Sequence, residues 1–192
     1  FGQLDPVEEF ATFAERRGLP LHVDAAFGGF ILPFLRDLGE SVPPFDFSLP
    51  GVTTISTDGH KLGLMPLTTG FFLVRDRDLL AHIPSDETML HTITSTKPGG
   101  TAAAAWAVLQ ALGADGYRRT VAKAMRTMDV LASGIAAVPG LRVVMPPFIT
   151  VLCFTADGLD VAAIHEGLRR RGFGSSFGPI NGIPIVRLSI SP

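Results

Sequence analysis

The run Thr57-Asp58-Gly59-His60-Lys61-Leu62-Gly63 sets one lysine just past a β-rich stretch, between glycines and directly after a histidine. Upstream, Leu21-His22-Val23-Asp24-Ala25-Ala26 reads as a strand that ends in an acid. A lysine and an acid at neighbouring strand ends suit pyridoxal 5′-phosphate. The amine would form a Schiff base with the aldehyde, and the carboxylate would keep the pyridine nitrogen protonated. Most loop lysines are merely solvated. Lys61, however, is followed by Leu62, Leu64, Met65 and Pro66 rather than by charges, and a Schiff-base lysine must be partly desolvated.

The other candidates each carry two readings. A buried strand-end acid needs a counterpart; for Asp24 that is a protonated ring nitrogen or the turn that follows. Ala26 is small enough to let a flat ring lie against it. His60 stacks, hydrogen-bonds the cofactor or passes a proton near the reacting carbon, or it simply holds a tight turn. Hydroxyls, Lys97 and two glycines precede a helix in 92–100, which suits a phosphate or an ordinary capped loop. Arg187, flanked by apolar residues in Ile185-Val186-Arg187-Leu188-Ser189-Ile190, is a clamp for a substrate carboxylate or an outward-facing strand residue. His22, His82, His91 and His165 show no mutual metal-ligand spacing; they read as structural or surface residues, and no metal is expected.

These residues need elements to hold them. Asp5-Pro6 followed by Glu8 and Glu9 reads as a helix start, with Asp5 the capping acid. Phe10, Phe13 and Ala14 would form that helix's apolar face, and Gly18 would close it. A strand follows at 19–23, then an irregular apolar stretch at 27–34. Residues 52–57 are β-branched and read as a buried strand; 70–74 repeat that signature, and Arg75-Asp76-Arg77-Asp78 end it in solvent. Helices are expected at 101–112 and 117–137, with Pro139-Gly140 as the stop. Strands at 141–145, 149–155 and 183–190 and a helix at 159–171 complete a small α+β set. Alternating helices and short strands argue for a parallel or mixed sheet with helices on both faces, and such sheets bind ligands at the carboxyl ends of their strands. Asp24 and Lys61 both point to that edge.

Composition narrows the classes. Of 192 residues 46% are apolar and 18% charged, and the net charge is −2 without a basic block, which gives nucleic-acid binding no support. A mean hydropathy of +0.35 suggests apolar surface destined for a further segment or a partner subunit. The single cysteine, Cys153, rules out an intrachain disulfide and reads as a buried strand thiol. No apolar stretch approaches the ~20 residues that span a bilayer, and a cytoplasmic protein is expected. Phe1 at the start and Ile190-Ser191-Pro192 at the end suggest an internal piece of a longer protein.

Together these stretches resemble the fold-type-I pyridoxal-phosphate enzymes, specifically the group II amino-acid decarboxylases and their sphingosine-1-phosphate lyase relatives. The resemblance is carried by His22-Val23-Asp24-Ala25-Ala26-Phe27-Gly28-Gly29-Phe30, Phe45-Asp46-Phe47, Gly51-Val52-Thr53-Thr54-Ile55-Ser56 and Asp58-Gly59-His60-Lys61-Leu62-Gly63, in the family's order. It implies Lys61 as the Schiff-base lysine, Asp24 on the pyridine nitrogen, Ala26 beneath the ring and His60 beside the cofactor. Thr96-Lys97-Pro98-Gly99-Gly100, Ala105-Trp106-Ala107 and Gly113-Ala114-Asp115-Gly116-Tyr117 look closer to the lyase branch, where the hydroxyl matching Thr96 reaches the cofactor phosphate of the neighbouring subunit. Lys97 stands where that branch usually shows arginine and Leu62 where it shows tyrosine, whereas Arg187 resembles the decarboxylase pattern.

The expected fold is therefore α/β, of the aspartate aminotransferase type. Residues 1–125 would be the C-terminal half of the cofactor-binding large domain, and 126–192 an incomplete small α+β domain. The expected activity is a pyridoxal-phosphate-dependent carbon–carbon lyase, most simply an amino-acid decarboxylase taking a small-molecule amine or amino-acid substrate. The alternatives are retro-aldol cleavage of a phosphorylated amino alcohol and a catalytically silent scaffold. A homodimer is implied by the resemblance.

Overall fold

A computed structural model of the chain describes residues 2–82 and 98–191. The chain divides into two compact units, Asp5–Arg118 and Phe1–Leu4 with Arg119–Pro192.

The first unit opens with α1 (Val7–Arg17), which ends at Gly18 in the left-handed region at φ 61°, where glycine carries no Cβ penalty. Pro6, not Asp5, occupies the N-cap, and no side chain caps the helix. Its buried stripe is Ala11 and Ala14, whereas Phe10 and Phe13 are about half exposed. The expected aromatic face is thus corrected to an alanine face. A Cβ added to Gly51 would lie 2.7 Å from the Ala11 carbonyl carbon, so the chain just ahead of Val52 packs closely on that alanine face.

The chain continues through β1 (Leu21–Asp24), a 3-10 turn at Gly28–Phe30, α2 (Leu32–Asp37), β2 (Val52–Asp58), β3 (Gly70–Val74) and a 3-10 helix at Arg77–His82. The stretch expected to be irregular is therefore largely helical, and Pro33 is tolerated because it lies in the first turn of α2. The sheet is mixed, in the order β1-β2-β3. β1 and β2 run parallel with Asp24 opposite Ser56. β2 and β3 run antiparallel with Ser56 opposite Phe72. Val23, Ile31, Leu32, Leu35, Val52 and Ile55 are buried. β3 is not buried as its apolar letters suggested, since Phe72 and Leu73 are exposed. Arg75-Asp76-Arg77-Asp78 are exposed, as expected, yet Arg75 is also held. Its guanidinium donates to the carbonyls of Val52 (2.7 Å), Phe47 (2.9 Å) and Leu49, tying the end of β3 to the loop ahead of β2.

Helix α3 (Gly99–Ala136) is interrupted at Gly113, where φ is 55° and ψ −174°. The break separates the two helices expected from the sequence.

In the second unit β4 (Leu141–Val143), β5 (Val151–Ala156), β6 (Ser176–Ile180) and β7 (Ile183–Ser189) form an antiparallel sheet in the order β4-β5-β7-β6. Helix α4 (Val161–Arg170) starts at Asp160, whose carboxylate accepts from the amides of Ala162 and Ala163 at 2.9 and 3.2 Å. Phe154, Val161 and Val186 centre the core, with Ile135, Ile164 and Leu168 packed against them. Cys153 is buried and free, as expected. Strand β6 was not foreseen. It joins β7 through Asn181 and Gly182, both at positive φ, the pair that a tight hairpin turn requires. Among the described residues no helix is long and apolar enough to cross a membrane.

Candidate active site

Asp24 is the last residue of β1. Its Oδ1 accepts the Ala26 amide at 3.0 Å and the Ser56 hydroxyl at 3.4 Å. The carboxylate is exposed, not buried. It makes the turn-capping bond of the plainer reading, yet that bond uses one oxygen only. Oδ2 has no hydrogen-bond partner among the described residues.

The neighbouring parallel strand, β2, ends at Asp58 and runs into a tight turn. The Met65 amide returns to the Gly59 carbonyl at 3.0 Å, and the His60 amide donates to Thr69 O at 3.1 Å. This turn carries Lys61, whose Nζ lies 2.7 Å from Asp58 Oδ2 and 4.5 Å from the centre of the Phe27 ring. The expectation of an uncharged neighbourhood is therefore corrected: the ammonium has a carboxylate partner. Its other neighbour is an aromatic face, which attracts a cation, and Phe27 belongs to the segment that follows Asp24. Contacts from both strand ends thus converge on the lysine. His60 Nδ1 donates to the Thr69 carbonyl at 2.8 Å, and its Nε2 is 3.8 Å from the Asp58 carboxylate.

The turn is held from behind. A Cβ on Gly63 would lie 2.6 Å from the Gly59 carbonyl oxygen and 3.1 Å from the Phe30 ring, so glycine is required by space. The buried Tyr117 hydroxyl donates to Gly63 O at 2.7 Å. Its ring stacks on Phe34 at 5.1 Å and meets Phe30 at 5.6 Å. Burial pushes the Tyr117 phenol above its ordinary pKa, which keeps the hydroxyl proton available for donation.

Of the residues singled out in the sequence, Asp24, Ala26, His60 and Lys61 share the carboxyl ends of β1 and β2. Thr96 lies outside the described residues. Arg187 belongs to the second unit, exposed on β7, with Nε donating to Ser176 Oγ at 3.0 Å. Sequence reasoning missed Asp58, Phe27 and Tyr117. Asp58 stood three residues before Lys61, within reach across a turn; Tyr117 gave no local signal, because its partner is 54 residues away. Among the described residues no cluster of His, Cys, Asp and Glu is fit to hold a metal.

The donor set suits an aldehyde-bearing pyridine cofactor. The lysine amine is held and about one-third exposed, and a carboxylate with one free oxygen stands at the adjacent strand end, ready to accept from a ring N–H. This is the site class of a fold-type-I pyridoxal-phosphate enzyme.

Comparison with known proteins agrees. Residues 1–157 match the pyridoxal-dependent decarboxylase conserved domain, and the chain belongs to that family, whose cofactor is pyridoxal phosphate. It is 37% identical over 182 residues to a probable L-aspartate decarboxylase of Thermococcus gammatolerans, covering 91% of this chain and 47% of that protein. It is 38% identical over 179 residues to a sphingosine-1-phosphate lyase of Oryza sativa, covering 90% and 33%. The fold superposes on the Burkholderia pseudomallei sphingosine-1-phosphate lyase with a TM-score of 0.86 and 31% identity, covering all of this chain and 44% of that one. The chain thus spans from a third to about half of the length of these relatives.

Proposed function

We propose that the whole protein is a carbon–carbon lyase of the decarboxylase type, acting on an amino acid through Lys61. The observation that carries this reading is the paired placement of the Asp24 carboxylate and the Lys61 amine at the ends of two parallel, hydrogen-bonded strands. Pyridoxal phosphate, when bound, supplies an aldehyde for the amine and a ring that draws electrons from the bond cleaved at Cα. Lys61 would hold the cofactor and Asp24 would keep the ring nitrogen protonated. Ala26 would leave room for the ring, and His60, anchored by Thr69, would hold a proton beside the reacting carbon. Thr96 would serve the cofactor phosphate, and Arg187 would bind the substrate carboxylate. Residues 1–125 would belong to the large domain and 126–192 to the small one. A cytoplasmic homodimer completes the proposal.

The second reading, retro-aldol cleavage of a phosphorylated amino alcohol, draws support from the 31% identity to a sphingosine-1-phosphate lyase over the whole chain. Turnover assays with the 20 free amino acids and with a phosphorylated amino alcohol separate the two. Carbon dioxide release from an acidic or aromatic amino acid supports decarboxylation, and aldehyde release from the phosphorylated substrate alone overturns it. Loss of turnover in Arg187→Ala, with the cofactor still bound, is expected only of the first reading. Absence of any cofactor binding would leave the protein a silent scaffold.

A further inference from the structure

One face of the three-stranded sheet carries an ordered row of polar side chains. Residues two apart on a strand share a face, and the register sets His22 beside Thr54 and Asp24 beside Ser56. His22 Nδ1 is 2.9 Å from Thr54 Oγ1 and its Nε2 is 3.2 Å from Ser56 Oγ. Ser56 Oγ reaches Asp24 Oδ1 at 3.4 Å. The Phe72 ring lies against the imidazole, with centroids 5.8 Å apart and planes inclined by 23°.

The direction of these bonds follows from chemistry. An ionised carboxylate only accepts, so the Ser56 hydroxyl proton points to Asp24. The Ser56 oxygen then accepts from His22 Nε2–H, and Nδ1 of the neutral ring accepts from the Thr54 hydroxyl. One chain of donors runs from Thr54 through His22 and Ser56 to Asp24. His22 and Asp24 are both exposed, where water could satisfy each group alone, and bonds between side chains are a small share of those in proteins. Here both nitrogens of one ring are engaged in a row that ends on the candidate cofactor carboxylate.

We propose that His22 is a positioning residue of the cofactor site. Through Ser56 it fixes Asp24 by Oδ1 and leaves Oδ2 for the ring nitrogen of pyridoxal phosphate. The inference rests on the reading of Asp24 as the partner of that nitrogen, and it adds a residue that no spacing argument in the sequence had singled out.

The test compares pyridoxal phosphate with its 1-deaza analogue, which keeps the aldehyde and phosphate but has CH in place of the ring nitrogen. Binding of each is titrated by absorbance to the whole protein and to His22→Phe, His22→Gln and Ser56→Ala, with folding checked by circular dichroism. His22→Phe and Ser56→Ala are expected to weaken pyridoxal phosphate binding about tenfold and to leave the analogue within about twofold of wild type. His22→Gln is expected to recover most of the loss, because its amide N–H still reaches Ser56. Equal weakening of both ligands would mark a general folding role and overturn the proposal. So would folded His22→Phe and Ser56→Ala variants with wild-type binding. If His22→Phe fails to fold, Ser56→Ala alone decides. If wild type and Asp24→Ala bind both ligands alike, the reading of Asp24 itself fails, and the inference falls with it.

Discussion

Lys61 Nζ and the Asp58 carboxylate stand 2.7 Å apart, joined across the turn that leaves β2. The pair holds a long, rotamer-rich side chain over the Phe27 ring. Such a side chain carries about 2 kcal/mol of rotamer entropy when free, so the pair pre-places the nitrogen, which must give up a proton before it attacks a carbonyl.

Asp58→Ala is therefore expected to slow covalent capture of pyridoxal phosphate on Lys61 by about three- to tenfold. Stability should change little, because a partly exposed ion pair contributes about 0–1 kcal/mol. Stopped-flow absorbance at several cofactor concentrations measures the rate. An unchanged rate would show that the turn alone positions the amine.

Tyr117 and Gly63 secure that turn from the protein interior. Tyr117→Phe removes the only side-chain donor to the Gly63 carbonyl among the described residues and should cost about 1–3 kcal/mol. Gly63→Ala forces a Cβ against the Gly59 carbonyl and is expected to cost at least as much. Urea denaturation of both variants checks this order, and a Gly63→Ala variant as stable as wild type would contradict the packing described.

Asp46 makes stability depend on acid pH. Burial acts to raise its carboxyl, but hydrogen bonds from Ser48 and the Arg36 guanidinium outweigh it and hold the group below its ordinary value of 3.8. The Ser48 amide donates at 2.8 Å and Arg36 lies at 3.3 Å. A depressed folded value means the contribution is fully present above pH 3.8 and is lost as pH falls through the lower, folded value. Asp46→Asn should lower stability by about 0.5–1 kcal/mol at pH 7 and flatten that acid limb. Thermal melts from pH 7 to pH 2.5 measure it, and an Asp46→Asn curve parallel to wild type would refute the linkage.

What the sequence made legible was whatever local pattern dictates. Asp24 and Lys61 could be placed because a strand that ends in an acid and a lysine after a β-branched run are both short-range signals. The interruption at Gly113 followed from helix periodicity, and Gly18 from the demand for a left-handed terminus. Several of the misses have their physical origin in neighbours distant along the chain. Phe10 and Phe13 looked like a core face, but Gly51, far along the chain, packs against Ala11 instead. Phe72 and Leu73 have the letters of a buried strand, but composition does not report whether a neighbour covers the face. His22 read as a structural or surface histidine, and it is exposed, but its partners Thr54 and Ser56 lie on another strand and could not be named. The Asn181-Gly182 hairpin was a local signal that went unread.

The central claim is that Lys61 carries the cofactor. The direct measurement is borohydride reduction of the whole protein with pyridoxal phosphate, followed by peptide mass spectrometry. The account predicts a reduced pyridoxyl adduct on Lys61, absent from a folded Lys61→Ala variant. An adduct on another lysine, or none on folded wild-type protein, would contradict it.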